Sequence, residues 1–527
     1  MGKPLWSRDK IAAHILAGDT LVIYRNSVLR IPPAWLAAHP GGALAILHFV
    51  GRDATDEIEA FHAEHTLNRI RAFAVGEPEL GDHGWDPLLP PVMAGWVRTV
   101  DKDGKQSWLR EAVAVRSDEH NEFTPSSSIL LMEKDDSLPR PAGSGPALTD
   151  LQPAPTALSL KVQARHSAAY RELHKRITDA GLYDCPYFTG YGPEVLRYVL
   201  LTVLSVVAYR HRWFISSAVF LGLLWHQLVF TVHDLGHMGV THSWTIDRAI
   251  AIFIANFVGG LSIGWWVDNH NIHHLVTNHT THDPDIQHLP FFANSPVFLN
   301  SIYSSYYKRT MPFDAFSRIV LTVQHKLFYL VMAFARFNLY RLSYAHLIKV
   351  ARGEMKAKGA LWSWALEMAG LVVWWCWYPA VLRGCGSWQM GLAYLLVSNV
   401  VPSPLHIVLS HYSRPTGDLG PTESFPHRQL RTTADVICPD YLQFLHGGLH
   451  LQVTHHLFPR LPRHNLRKAS LHVKEFAKEQ GLEYVEFGFV DGNAEVRGVL
   501  QHVAEQVKLI GKVAQAEAAE AVEKKNA

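Results

Sequence analysis

Charge is scarce in this sequence. Only 18% of its 527 residues are Asp, Glu, Lys or Arg, against about 25% in an average soluble protein. The net charge of +2 is too small to mark a nucleic-acid binder. Cysteine is also sparse: Cys185, Cys376, Cys385 and Cys438 stand apart without CxxC spacing, which argues against a disulfide framework, a zinc ribbon and thiol chemistry. The opening MGKPLWSRDK lacks the apolar core of a signal peptide, so the first domain is expected to stay cytosolic. No internal repeat is evident. The excesses lie elsewhere, in 16 Trp, 32 His and an aromatic content of 11%. Low charge with abundant Trp predicts a membrane protein with interfacial aromatic belts, and the imidazole excess predicts a metal or haem.

The chain reads as a soluble front, a loose connector and an apolar back half. Residues 1–80 predict a small α+β domain: two short β-rich runs around a turn in LVIYRNSVLRI (21–31), then HPGG (39–42), then helical spacing through 44–62. Residues 81–158 read as a partly disordered linker with ordered turns around Trp85 and Trp96, because five prolines fall within 139–156. Residues 159–490 carry apolar runs at 195–209, 213–232, 248–267, 323–340, 364–382 and 387–410, most of them near the roughly 20 residues that cross a bilayer. A charged tail, 491–527, closes the chain.

Histidines gather at the ends of these runs. His233-Asp-Leu-Gly-His237 follows the second run and His270-Asn-Ile-His273-His274 the third. Helical spacing places each set on one face. His411 closes the last run, and Gln452-Val-Thr-His455-His456 repeats the i, i+3, i+4 pattern with glutamine in first place. The count exceeds what one tetrahedral zinc uses, so two metals are expected, iron if the chemistry involves oxygen. For the first two clusters to meet, 248–267 cannot cross the membrane once. Gly259, Gly260 and Gly264 suit a re-entrant segment, and Arg336 and Asn338 interrupt 323–340 in the same way. Two transmembrane hairpins remain, 195–232 and 364–410, about four spanning helices in an otherwise all-α polytopic domain with both termini and the histidines on the cytosolic side.

HDLGH, HNIHH and QVTHH, in this order between these runs, resemble the three histidine boxes of membrane fatty-acid desaturases. The glutamine opening the third resembles the front-end desaturases, which carry a fused cytochrome b5 domain. HPGG at 39–42 and GRDATDEIEAFH at 51–62 resemble the haem motif of that domain. HDPDIQHLPFF (282–292) and HGGLHLQVTHHLFPRLPRHNLR (446–467) look most like the fungal sphingolipid Δ8-desaturases. The resemblance implies haem b between axial His39 and His62, with His65 a competing candidate. It also implies two non-haem irons at a site drawn from His233, His237, His270, His273, His274, His411, Gln452, His455 and His456. Bis-histidine haem iron has no position left for oxygen, so the first domain is expected to carry electrons.

The implied reaction is O2-dependent insertion of a double bond into a lipid chain, at position 8 of the sphingoid base of ceramides, with NADH-cytochrome b5 reductase as electron source and the endoplasmic reticulum membrane as location. The terminal Lys524-Lys525-Asn526-Ala527 resembles a dilysine retrieval signal. Alternatives are a front-end polyunsaturated acyl desaturase, a lipid hydroxylase on the same scaffold, and a non-enzymatic haem electron carrier. The acidic segment Asp53, Asp56, Glu57, Glu59 and Glu64 is either a solvated helix face or a docking face for a basic reductase.

Overall fold

The computed structural model describes residues 4–100, 106–110, 145–355, 359, 361–404, 414 and 417–526. The β-rich runs of the front domain form a four-stranded sheet from β1 (Leu5–Trp6), β2 (Leu21–Tyr24), β3 (Ser27–Arg30) and β4 (Ala74–Pro78), ordered β1-β4-β3-β2. Arg25 and Asn26 make the β2–β3 turn with positive φ at both positions, the backbone twist a tight hairpin requires. Ile11, Ile15, Leu21, Ile23, Val28 and Leu47 fill the core over the sheet. That core also takes in Trp85, Leu88, Val92, Trp96, Trp108 and Leu151, from the stretch expected to link the domains. Trp85 Nε1 donates to the Gly51 carbonyl at 2.9 Å and Trp108 Nε1 to that of Ile15 at 2.7 Å, so both indoles bury with their polar edge satisfied. Gly51 has φ of 81°, and a Cβ there would lie 2.7 Å from Leu88 Cβ. Only glycine fits.

The back half is helical. Three described helices are long and apolar enough to cross a membrane: Tyr187–Arg210, Phe214–Gly236 and Leu361–Arg383. Trp388–Val400 follows the last of these as the return arm of its hairpin; residues 405–413 lie outside the described residues, and His411 with them. The 248–267 run does not pass straight through. Trp244–Val258 and Ile263–Leu275 are bent by 116°, and the glycines explain where. Gly260 has φ of 70°, and a Cβ on it would come 2.5 Å from the Trp374 ring; one on Gly264 would come 2.5 Å from Glu367 Oε1. Glu367 clamps the bend by accepting from Ser262 Oγ at 2.6 Å and from the Gly264 amide at 3.2 Å. The 323–340 run breaks likewise, into Gln324–Ala333 and Ala335–Ala351. Arg336 turns inward there, donating to the Gly259 carbonyl at 2.7 Å and lying over the Trp225 ring at 4.3 Å.

The tail is a helix, Phe489–Asn526. Its Leu500, Val503, Ala504 and Val507 are buried at the i, i+3, i+4, i+7 spacing of an amphipathic stripe, and Val503 and Val507 pack with Leu321 and Phe298.

The acidic segment is neither solvated nor open to a partner along most of its length. Asp56, Glu57 and Glu59 are buried, and Arg171, from helix Leu160–Asp179, donates to Asp56 at 2.8 Å. Ala60 is wholly buried among Tyr170, Leu457 and Phe458 of the back half, while Val22, Phe49 and Ala54 pack on Leu275. The haem-type domain is docked on the helical domain. Burial raises the Asp56 carboxyl to about 6 and that of Glu57 to about 7, opposed by Arg171 and Arg52 respectively.

Candidate haem and metal sites

In the front domain, His39 caps helix Pro33–Ala38 and His62 caps helix Thr55–Phe61. Their rings face each other with centroids 6.0 Å apart. Each Nδ1–H donates to a carbonyl, His39 to Gly42 at 3.2 Å and His62 to Ile58 at 2.8 Å, which fixes the tautomer in which Nε2 is the ligand-type nitrogen. An ion about 2 Å from each nitrogen fits that gap. A Cβ on Gly41 would press within 3.1 Å of His39 Cε1, so glycine keeps the ring free to hold this position. Burial lowers the pKa of His62 and so favours the neutral ligand form. His65, the competing candidate, is exposed.

The histidines of the back half converge. His233 and His237 come from the end of one spanning helix, His270 and His274 from the inner arm of the bent pair, and His455 from helix Gln452–Leu457. All five are buried, and one ring nitrogen of each lies within 4.8 Å of the others. His274 Nε2 lies 3.1 Å from both His270 Nε2 and His455 Nε2. His237 Nε2 is buried with no hydrogen-bond partner. Burial, with His270 and His273 adding to it, holds His237 well below the ordinary imidazole range. Buried neutral imidazoles with nitrogens this close cost free energy unless something shares them, and ligand nitrogens on opposite sides of one ion would sit about 4 Å apart. The donor set fits a borderline transition metal such as iron.

His273 and His456 stand beside the five. His456 stacks on His274 with centroids 4.2 Å apart, and the His273 ring is 5.0 Å from that of His456. Gln452 is buried at the start of its helix, where its amide nitrogen donates to the Leu449 carbonyl at 2.9 Å. The remaining end of that amide is the acceptor oxygen. The quoted repeat of i, i+3 and i+4 therefore forms one short helix, but its members divide: His455 enters the five, while His456 and Gln452 stay adjacent to it.

The residues that orient these rings were not singled out by sequence. Asp283 accepts from His273 Nδ1 at 2.8 Å and Asp285 from His270 Nδ1 at 3.3 Å. Gln429 donates to the His274 carbonyl at 2.7 Å, which turns its oxygen toward His456 Nδ1 at 3.0 Å. The contacts to His270, His273 and His456 each engage Nδ1, the usual outer support of a metal-bound imidazole. Behind the first cluster, Asp234 and Glu194 pair with Arg463, and Tyr191 donates to Asp234 at 2.6 Å. The two carboxylates of the 283–285 pair sat in plain view in HDPD (282–285); their signal was acidic residues just beyond a histidine cluster.

A cavity of about 1680 Å³ runs past the centre. Leu228 and Val229 line it with His270 and Gln452, and Ala43 and Leu44 of the front domain reach the same space.

A two-histidine haem crevice docked on a membrane domain that buries a polyhistidine centre defines a membrane-bound metal oxidoreductase. The chain belongs to the fatty acid desaturase family: residues 211–488 match its model, and residues 7–79 match the cytochrome b5-like heme/steroid binding domain. It is similar to the Delta 8-(E)-sphingolipid desaturase of Emericella nidulans, 42% identical over 96% of this chain and 95% of that protein. The protein of the same name from Komagataella phaffii is 42% identical over 96% of this chain and 94% of its own length. The Delta(8)-fatty-acid desaturase 2 of Arabidopsis thaliana is 35% identical over 65% of this chain and 76% of its own.

Proposed function

We propose that this chain desaturates the sphingoid base of a ceramide at position 8, taking O2 and drawing electrons through its own haem domain. The observation that carries this is the shared cavity: residues beside His39 and residues of the histidine centre line one mostly apolar space of about 1680 Å³. The name shared by the fungal relatives supports the substrate.

In this reading His39 and His62 hold haem b. Two non-haem irons are held by His233, His237, His270, His273, His274, His455 and His456, with Gln452 at the edge and His411 a further candidate. Bound there, the irons would supply the O2-dependent chemistry that removes hydrogen from an unactivated methylene. The chain's own part is to exclude water, present one carbon pair to the centre and orient the imidazoles through Asp283, Asp285 and Gln429. NADH-cytochrome b5 reductase supplies electrons, and the protein resides in the endoplasmic reticulum with both termini cytosolic.

Lipid analysis of a host lacking the activity, with and without this gene, tests the reading. Ceramides lighter by one H2 with the new bond at position 8 support it. A product heavier by one oxygen makes the chain a hydroxylase, and unsaturation confined to acyl groups favours the fatty-acid reading that the plant relative's name suggests. Fewer than two non-haem irons in pure active protein would remove the two-iron assignment.

A further inference from the structure

Phe61 occupies a position that neither metal site explains. It precedes His62 directly, at the end of helix Thr55–Phe61, so one peptide unit joins it to the haem-side ligand. Its ring meets that of His274 edge to face, with centroids 6.0 Å apart and planes at 81°. His274 belongs to the buried five and touches His270 and His455 through Nε2. Phe61 is also partly buried between two apolar clusters, one containing Phe458 and one containing Leu275. Ala60 beside it is completely buried in the first of these, and Arg171 pins the same helix through Asp56. A side chain on a mobile carrier domain would be placed differently at each encounter. This one is fixed from both sides.

We propose that Phe61 is the positioning residue that couples the haem to the histidine-held iron, its ring closing the gap between His62 and His274. The inference rests on the proposed assignment of His39 and His62 to haem and of the histidine cluster to iron. Each transfer oxidises one ferrous haem and reduces one ferric non-haem iron, with no bond made or broken. Two transfers per turnover, two electrons and two protons from the lipid's methylene pair and two protons from solvent together reduce O2 to two waters. An NADH-dependent flavin reductase refills the haem. The role of Phe61 is orientation: an aromatic edge held against the imidazole face keeps the two ligand shells at one separation, where a flexible side chain would leave a packing gap.

The test uses the full-length chain in lipid nanodiscs, loaded with haem and iron. A light-activated flavin reduces the haem under argon, and the ferrous haem band is followed as its electron leaves. In the wild type the band decays when iron is bound and persists in iron-depleted protein. Phe61→Leu keeps an apolar side chain at the interface; it is expected to leave the haem spectrum, haem midpoint potential and iron content unchanged while slowing the decay about tenfold, the factor that corresponds to the full worth of one oriented aromatic pair. Phe61→Tyr, which retains the ring, is expected to restore most of the rate. Arg171→Ala loosens the docking without touching the ring, so a slowdown equal to that of Phe61→Leu would assign the effect to docking alone and overturn the inference. Decay at the wild-type rate in Phe61→Leu overturns it as well. If the wild type with both metals bound kept its reduced haem as long as the iron-depleted protein, the haem-to-iron route itself would fall, and the coupling with it.

Discussion

Arg463 lies eight residues beyond His455 and supports the histidine centre through Asp234, and a single change there should cost a large share of the stability. Its guanidinium is buried and pairs with Asp234 at 2.7 Å and with Glu194, while donating to the Phe230 carbonyl and the Thr231 hydroxyl at 3.0 Å each. Asp234 lies between His233 and His237, so the arginine ties the first histidine pair to the segment carrying the third. Arg463→Met keeps much of the volume and takes the guanidinium from two buried carboxylates, of which Glu194 still meets His464 Nε2 at 2.9 Å. Breaking a buried pair from one side costs about 3–5 kcal/mol; the lost hydrogen bonds belong to the same event and are not added. Heating detergent-purified protein and following the monodisperse fraction by fluorescence-detected size exclusion should show a clear drop in melting temperature. Non-haem iron should fall with it, because His233 and His237 lose their support, while the haem spectrum is expected to stay. Neutralising one stranded acid in Arg463→Met with Glu194→Gln should recover part of the loss, since the sites share one network. A single variant that melted with the wild type and kept its iron would refute the reasoning, for it would mean that the carboxylates need no countercharge.

Three further outcomes are expected. His39→Ala and His62→Ala should each abolish the bis-histidine haem spectrum and turnover with non-haem iron retained, whereas His65→Ala should leave the spectrum intact; optical spectra and iron assay of the same samples decide this. Asp283→Asn replaces the acceptor of His273 Nδ1 with a weaker one, and iron affinity should fall about 10–100-fold, the usual effect of losing such support, as read by chelator competition. Gln452→Ala should lose most activity with iron at least partly retained, and Gln452→His should not restore it; wild-type turnover in Gln452→Ala would place the amide outside the site.

The repeated patterns were the legible part of this protein. HPGG, the three histidine clusters and the glycines of 257–266 each encode a local geometry, and His39, His233, His270 and His455 lie where those geometries place them. The bend at Gly260 was readable because the two clusters had to meet. Long-range partnership was not. Nothing local in Asp56, Glu57 or Glu59 distinguishes a solvated helix face from one buried under Arg171, since the deciding residue lies over a hundred positions away. Gln429 and Arg463 escaped for the same reason: each is an ordinary polar residue whose meaning comes from an imidazole or carboxylate on another segment, whereas the carboxylates of HDPD carried a local signal beside the second histidine cluster. Phe61 gave no signal of its own, being a single aromatic residue at the end of an acidic stretch.

The docking of the haem domain through Asp56 and Ala60 changes the kinetics expected of the whole chain. An electron carrier that diffuses in the cytosol or along a bilayer delivers at a rate set by how crowded the membrane is. Here donor and acceptor share one polypeptide and one packed interface, so the local concentration of the donor is set by geometry and does not fall on dilution. Lowering expression of the enzyme should therefore leave turnover per molecule unchanged until supply from its electron source becomes limiting. In the proposed reading the electron source must reach the haem domain from the side that the helical domain leaves uncovered, which separates the refilling of the haem in space from the consumption of its electrons.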